Sequence, residues 1–276
     1  MIEDLDSLSL KAFVETVKEK HGYDFSNYAT SSLKRRILRI LNTFNYNSLE
    51  ELTKKVAADS NYFKEILAEI TVNVTELFRD PSLWRELRDK IFPSIFTANQ
   101  DIKIWHAGCS SGEEVYSICI LLHEIGCLDR VKIVATDIDH VIIEKARSGK
   151  FLYKNMEDVG DKNYIRYEGK KKLSDYYTTN GIYVQMDKNL LRNVVFKEHN
   201  LVENESPGKF DMIFCRNVMI YFNQFLQNEV LNMFHRSLFS YGYLTIGSKE
   251  SIIWCDVINK FITISREEKI YNKISE

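Results

Sequence analysis

The chain has 276 residues, with 37 Lys+Arg against 39 Asp+Glu, a net charge of -2, 45% apolar and 28% charged residues. That composition excludes a disordered chain, and the length allows one large or two modest domains with a real core. The sequence has no membrane-length apolar run, and its acidic start, MIEDLDSLSL, lacks the basic and apolar regions of a secretory signal. The near balance of charge gives no whole-chain reason to expect nucleic acid, leaving only a local basic patch to consider.

The first eighty residues contain no proline and read as helices. Leu10, Phe13, Val14 and Val17 recur at helical spacing, and Gly22 offers a stop. A second helix is expected over Ser32 to Phe44, with the stripe Leu33, Ile37, Ile40, Leu41 and Phe44. A third runs from Ser48, an N-cap with Glu51 three residues on, to Ala58. A fourth covers Asn61 to Thr71 through Phe63, Ile66, Leu67 and Ile70. Asp80-Pro81 then starts a new helix, with Asp80 read as its cap and Pro93 following its end.

From Ile102 onward β-rich and helical runs alternate. Strands are expected at Ile102–His106, Val131–Thr136, Val194–Phe196, Met212–Phe214 and Tyr243–Ile246, and helices at Glu113–Glu124, Val141–Ser148 and Gln224–Phe239. This is the pattern of an α/β domain with a mainly parallel sheet covered on both faces. Phe261–Ile264 and Lys269–Asn272 read as two last strands around a turn. Between Tyr176 and Gln185, two β-rich runs joined by Asn180-Gly181 predict a tight hairpin, a small antiparallel insert at about residues 173–193.

Several stretches could carry chemistry. In Trp105-His106-Ala107-Gly108-Cys109-Ser110-Ser111-Gly112-Glu113-Glu114 a strand leads through a glycine turn into a helix. Open α/β folds bind ligands at such turns. The stretch is not G-x-G-x-x-G and carries no base, so a ligand with a positive centre and no phosphate suits it. A plain tight turn with acidic residues at the helix start fits equally well. Asp137, ending the next strand, can accept from two ribose hydroxyls, while Asp139 suits a helix cap better. Arg216 and Asn217 follow another apolar strand, with Tyr221 four residues on from Asn217; alone, Tyr221 reads as core. Asn73 to Pro81 alone reads as a linker with a solvated Arg79. Cys109, Cys119, Cys127, Cys215 and Cys255 are odd in number and lack zinc-site spacing, so reduced thiols and no metal are expected.

Taken in order, Asn73 to Pro81, Ser111-Gly112-Glu113-Glu114, Ala135-Thr136-Asp137-Ile138-Asp139 and Phe214 to Phe222 closely resemble the chemotaxis receptor methyltransferases of the CheR family. The resemblance spans almost the whole chain. It implies a helical docking domain (residues 1–72), a linker that contributes to the site (73–80) and a Rossmann-like S-adenosylmethionine-dependent domain (81–276). It implies methylation of glutamate γ-carboxyls on the cytoplasmic helices of chemoreceptors, giving methyl esters and S-adenosylhomocysteine. By motif position, Asn73, Thr75 and Arg79 approach the cofactor from the linker and Glu114, rather than Glu113, lies in the glycine-turn pocket. Asp137 holds the ribose, Asn200 and Leu201 flank the adenine, Arg216 and Asn217 contact the methionine end, and Arg79 and Tyr221 face the chemistry. A cytoplasmic, monomeric enzyme recruited to membrane receptor clusters follows from the same resemblance.

The residues suit that reaction. A glutamate with a pKa of about 4.3 is already an oxyanion at neutral pH, so no general base is required. Attack on a sulfonium neutralises both charges, and the site has to align the reactants and limit water. A tight bidentate Arg79 pair with the substrate would stabilise the reactant more than the transition state, so its contacts are expected to be limited. Lys34, Arg35, Arg36 and Arg39 form a basic stretch with no acidic residue between Asp24 and Glu50. Beside the ordinary reading as a solvated face, the resemblance favours docking on an acidic receptor bundle. The insert resembles the β-subdomain with which some members bind a receptor tail peptide, but its tight hairpin speaks against that here. Other readings are a methyltransferase for another carboxylate or a small molecule, and a cofactor-sensing domain without catalysis. The missing Asp/Asn-Pro-Pro-Tyr/Phe run disfavours an amino-group nucleic-acid methyltransferase.

Overall fold

The computed structural model describes residues 5–71, 75–203 and 205–274. Four helices open the chain: α1 (Ser7–His21), α2 (Thr30–Thr43), α3 (Leu49–Ala58) and α4 (Ser60–Thr71). Asp6 caps α1 by accepting from the Leu8 and Ser9 amides at 2.9 Å. Gly22, at φ 78, ends it in the left-handed region, with its own N–H donating to the Lys18 carbonyl. Ser48 caps α3, accepting from the Glu51 amide at 3.3 Å. The helices share a core of Phe13, Val17, Ile37, Leu41, Val56 and Ile66, which removes their apolar stripes from water.

After the linker, α5 (Pro81–Glu86) runs through a π turn at Leu87–Ile91 into α6 (Phe92–Ala98). Pro93 therefore does not follow the end of this helical stretch. The π turn bonds Phe92 N–H to the Leu87 carbonyl, and Pro93 falls in the first turn of the next segment, where its missing donor costs little.

The α/β part continues through β1 (Ile102–Ala107), α7 (Glu113–Glu124), β2 (Val131–Asp137), α8 (His140–Ser148), β3 (Lys150–Leu152), α9 (Tyr153–Asn155) and α10 (Asp161–Tyr167). It closes with β4 (Tyr177–Thr179), β5 (Tyr183–Met186), β6 (Val194–Glu198), β7 (Phe210–Cys215), α11 (Gln224–Ser237), β8 (Leu238–Ile246), β9 (Phe261–Ser265) and β10 (Ile270–Lys273). The large sheet has the order β6-β2-β1-β7-β8-β10-β9, with β10 antiparallel to both of its neighbours and the remaining pairings parallel. Alternate residues of its central strands feed opposite cores. Ile104, Met212 and Phe214 join one with Trp84 and Tyr116; Trp105 and Ile213 join the other with Leu231 and Phe234. The chain leaves β1 in one direction to β2 and β6, then returns to β7 on its other side. That reversal opens a crevice at the carboxyl ends of β1 and β7.

The insert begins earlier than the hairpin alone predicts, because β3 joins it to give the order β3-β5-β4. The hairpin also turns one residue later. Asn180 N–H donates across to the Tyr183 carbonyl at 3.1 Å, so Gly181-Ile182 forms the tip, while the Asn180 carboxamide accepts from the Ile182 and Tyr183 amides. Glu124 at the end of α7 ties the insert down by accepting from the hydroxyls of Tyr164, Tyr167 and Tyr176.

Candidate active site

The turn after β1 is shaped by a shared acceptor. The amides of Gly108 and Cys109 both donate to the Thr136 carbonyl at 2.8 Å. Gly108 is at φ 77, and a Cβ there would stand 2.4 Å from a Val218 methyl, so only glycine lets this turn meet the one after β7. Asp137 closes the floor from the end of β2: one oxygen accepts from Ser110 N–H at 2.8 Å, the other from Asp139 N–H at 3.2 Å. Burial pushes its pKa up to about 6, against the pull of those amides. Asp139 itself caps α8.

Across the crevice Arg216, its side chain 2% exposed, donates to Glu114 Oε2 at 2.7 Å and to Asp80 Oδ2 at 2.5 Å. Asp80 thus does not cap α5; it sits at φ 54 and spends its carboxylate on the guanidinium. Glu114 also lies 3.3 Å from His106 Nδ1, whose ring stacks on Phe214. Burial favours a protonated Glu114, but Arg216 and His106 outweigh it, and its carboxyl is held below the usual range. Glu113, by contrast, turns to the Ser111 hydroxyl at 2.6 Å, and burial raises its pKa.

The third wall comes from the helical domain. Ala29 N–H donates to the Tyr221 carbonyl at 2.9 Å, Asn223 N–H to the Asn27 carbonyl at 2.9 Å, and Tyr28 pairs with Phe222 as an antiparallel bridge. The Arg36 guanidinium lies 3.8 Å from the Tyr221 ring centre and donates to the Ile70 carbonyl. Burial lowers the Arg36 pKa, partly offset by Tyr221. Arg36 is therefore not part of an outer basic face. It falls at the Leu33–Ile40 spacing of the apolar stripe and turns inward, where it is 6% exposed. Lys34 reaches the Leu5 carbonyl at 2.5 Å, Arg35 is exposed, and Arg39 is exposed beside Glu69 at 3.4 Å.

One cavity unites these walls. Thr75 and Arg79 enter it from the linker, Glu114 from the first turn of α7, Asp137, Arg216 and Asn217 from strand ends, and Asn200, Leu201 and Tyr221 from the loops beyond. Asn73 lies outside the described residues. Phe78 and Asp80, both at positive φ, turn the linker sharply on either side of Arg79, whose carbonyl accepts from Trp84 Nε1 at 2.8 Å. The cavity also takes Tyr28, Arg36 and Thr71 from the helical domain, and His199 from the loop after β6. Sequence motifs missed these four. A charge lying on the α2 stripe was the one signal for Arg36; Tyr28, Thr71 and His199 had none.

Comparison with known proteins bears on this two-part site. Residues 8–71 match the profile of the CheR methyltransferase all-alpha domain, and residues 73–270 that of the CheR methyltransferase SAM binding domain. The chain belongs to the CheR methyltransferase family. Two relatives match over nearly its full length. It is 36% identical to the Pseudomonas putida protein Cher3 over 96% of this chain and 97% of that one. It is 30% identical to the chemotaxis protein methyltransferase of Listeria monocytogenes over 92% and 93% of the two chains. Among solved structures, the N-methyltransferase NodS of Bradyrhizobium japonicum, bound to S-adenosylhomocysteine, overlaps at a TM-score of 0.40 and 10% identity, covering 70% of this chain and 88% of that one.

As a CheR enzyme the chain binds S-adenosylmethionine, and the residues present fit it. Asp137 uses two of its acceptor positions on Ser110 and Asp139, which leaves others for vicinal hydroxyls. Glu114, kept ionised, and Arg216 offer one charge of each sign, matching the ammonium and carboxylate of an amino acid. Among the described residues no cluster of three or more His, Cys, Asp or Glu could hold a metal, and no helix is long and apolar enough to cross a membrane.

Proposed function

We propose that this enzyme methylates glutamate side chains on the cytoplasmic helices of chemoreceptors, with Arg79 and Tyr221 beside the reacting groups. The observation that carries this reading is the position of Tyr221. It lies in the cavity of Asp137, Glu114 and Arg216 while the helical domain holds it by ring and carbonyl. Bound S-adenosylmethionine supplies the methyl group on a cationic sulfur. The chain's own task is to bind, align and dry. Asp137 takes the ribose hydroxyls, Asn200 and Leu201 flank the base, and Arg216 with Glu114 and Asn217 fixes the amino-acid end. Thr75 supports the cofactor from the linker.

The lining favours a substrate that arrives as an anion. Arg36 and Arg79 present cations, while Arg216 is already paired with Glu114 and Asp80; His199 is tied through Nε2 to the Glu205 carbonyl at 2.8 Å, and burial lowers its pKa. A glutamate needs no base to become nucleophilic at neutral pH. Arg79 orients it through limited contacts, because a tight pair would hold the reactant back. Tyr221 faces the methyl group.

Docking falls to the outer face of α2. Arg35 and Arg39 point outward from the helix whose inner Arg36 touches Tyr221, so a receptor helix held there lies near the opening. Such docking recruits the enzyme to receptor clusters and weakens with salt. The test is incubation with methyl-labelled cofactor and a receptor cytoplasmic fragment, followed by mild base. Base-labile label on the fragment is expected. Base-stable label, or none, would overturn the reading. Charge reversal at Arg35 and Arg39 is expected to cut labelling at low salt; undiminished labelling would remove α2 from docking.

A further inference from the structure

The turn that carries Arg216, Asn217 and Tyr221 has a support that lies outside both the four stretches carrying the family resemblance and the cavity lining. Glu250 follows β8, whose end lies beside that of β7 with Ile246 opposite Cys215. It is 6% exposed and does not line the cavity. Its Oε2 accepts from the Gly247 amide at 2.5 Å and the Asn217 amide at 3.0 Å, and its Oε1 from the Ile220 amide at 3.2 Å. Asn217 is at φ 60, a left-handed position just past the end of β7, where the chain bends into the turn. A carboxylate is suited to this place: its two oxygens accept from several donors at fixed spacing, and its charge strengthens each bond.

We infer that Glu250 is a positioning residue for methyl transfer, fixing the spacing from Arg216–Asn217 to Tyr221 through the backbone of their shared turn. Two features on its rim point the same way. A Cβ at Gly247 would stand 2.8 Å from both the Asn217 nitrogen and a Glu250 oxygen, so the two turns are in close contact. Gly108 meets Val218 from the other side, leaving the turn no space to relax toward β1. If Glu250 let go, Asn217 and Ile220 would move independently, and with them the cofactor-end contacts and the tyrosine. The inference rests on the reading above that Tyr221 faces the reacting methyl.

Glu250→Gln keeps the volume but puts an NH2 group against backbone N–H donors. For the full chain with a receptor cytoplasmic fragment, kcat is expected to fall ~10–100-fold, the scale of a misplacement near 1 Å. Calorimetry with S-adenosylhomocysteine is expected to show one site per chain with a several-fold weaker Kd. In a Tyr221→Phe background the same change is expected to cost much less, because both act on one group. An unchanged kcat and Kd would overturn the inference. So would a fall in kcat matched by an equal fall in binding stoichiometry, or full additivity with Tyr221→Phe. If Glu250→Gln does not fold, Gly247→Ala acts on the same turn and is expected to give the same pattern; wild-type Kd and kcat in that variant would overturn the inference. A wild-type chain that labels no receptor fragment would instead sink the substrate reading, while the calorimetric comparison still reports on Glu250.

Discussion

Replacing Arg216 by Met leaves two carboxylates facing each other across a site with 2% side-chain exposure at its centre. Glu114, at 17%, is the group stranded; Asp80, at 36%, keeps water and matters less. Breaking a buried ion pair by deleting one partner costs about 3–5 kcal/mol. At ~2–4 °C per kcal/mol for a chain of this class, a drop in melting temperature of about 6–20 °C is expected at pH 7.5 without cofactor. The pH dependence gives the sharper check. In the wild type the lowered Glu114 pKa contributes stability that is full above its ordinary value of about 4.3 and is lost as pH falls through the lowered one. In the variant only His106 is left to oppose burial at Glu114. Its pKa rises, so the penalty is full at high pH and shrinks on acidification. The gap between the two proteins therefore narrows from pH 7.5 to 5, read by circular dichroism melts. Adding Glu114→Gln is expected to restore part of the stability without restoring binding of S-adenosylhomocysteine. A variant melting within ~2 °C of wild type, or a gap independent of pH, would refute the argument that this arginine neutralises a buried acid.

Calorimetry with S-adenosylhomocysteine from pH 8 to 5 is expected to show affinity falling about tenfold at the acid end. Asp137 titrates near 6 and loses acceptor capacity when protonated; a flat profile would remove it from hydroxyl binding. Gly108→Ala is expected to cost about 2–3 kcal/mol in urea melts, from positive φ and the clash with Val218, and Val218→Ala to return the clash portion only. Asn27→Ala removes the 3.1 Å bond from the Asn223 side chain. It is expected to cost about 1 kcal/mol and to lower kcat while leaving cofactor affinity in place; an unchanged kcat would mean the helical domain does not steady Tyr221.

Much of the fold is written in local chemistry. Helical spacing marked α1 to α4, Ser48 and Asp139 capped as their types predict, and the β-rich runs became strands because flanking turns and two covered faces leave few alternatives. Asp137 and Arg216 were legible because each stands at the end of a strand, where an open α/β sheet gathers its ligand contacts, whereas Arg79 and Glu114 were singled out only by the family resemblance. The helix through Pro93, the third strand of the insert and the hairpin tip were not. Each depends on a partner distant in sequence or on a backbone hydrogen bond that composition does not encode. Only the tertiary structure turned Asp80 from a cap into the partner of Arg216, drew Arg36 out of the basic face onto Tyr221, and placed Tyr28 and Glu250 on either side of one turn. The physical reason is the same throughout: a residue's intrinsic preference fixes its local backbone, whereas the role of a buried polar group is set by whichever partner satisfies it, and in this chain those partners arrive from the other domain or from neighbouring strands.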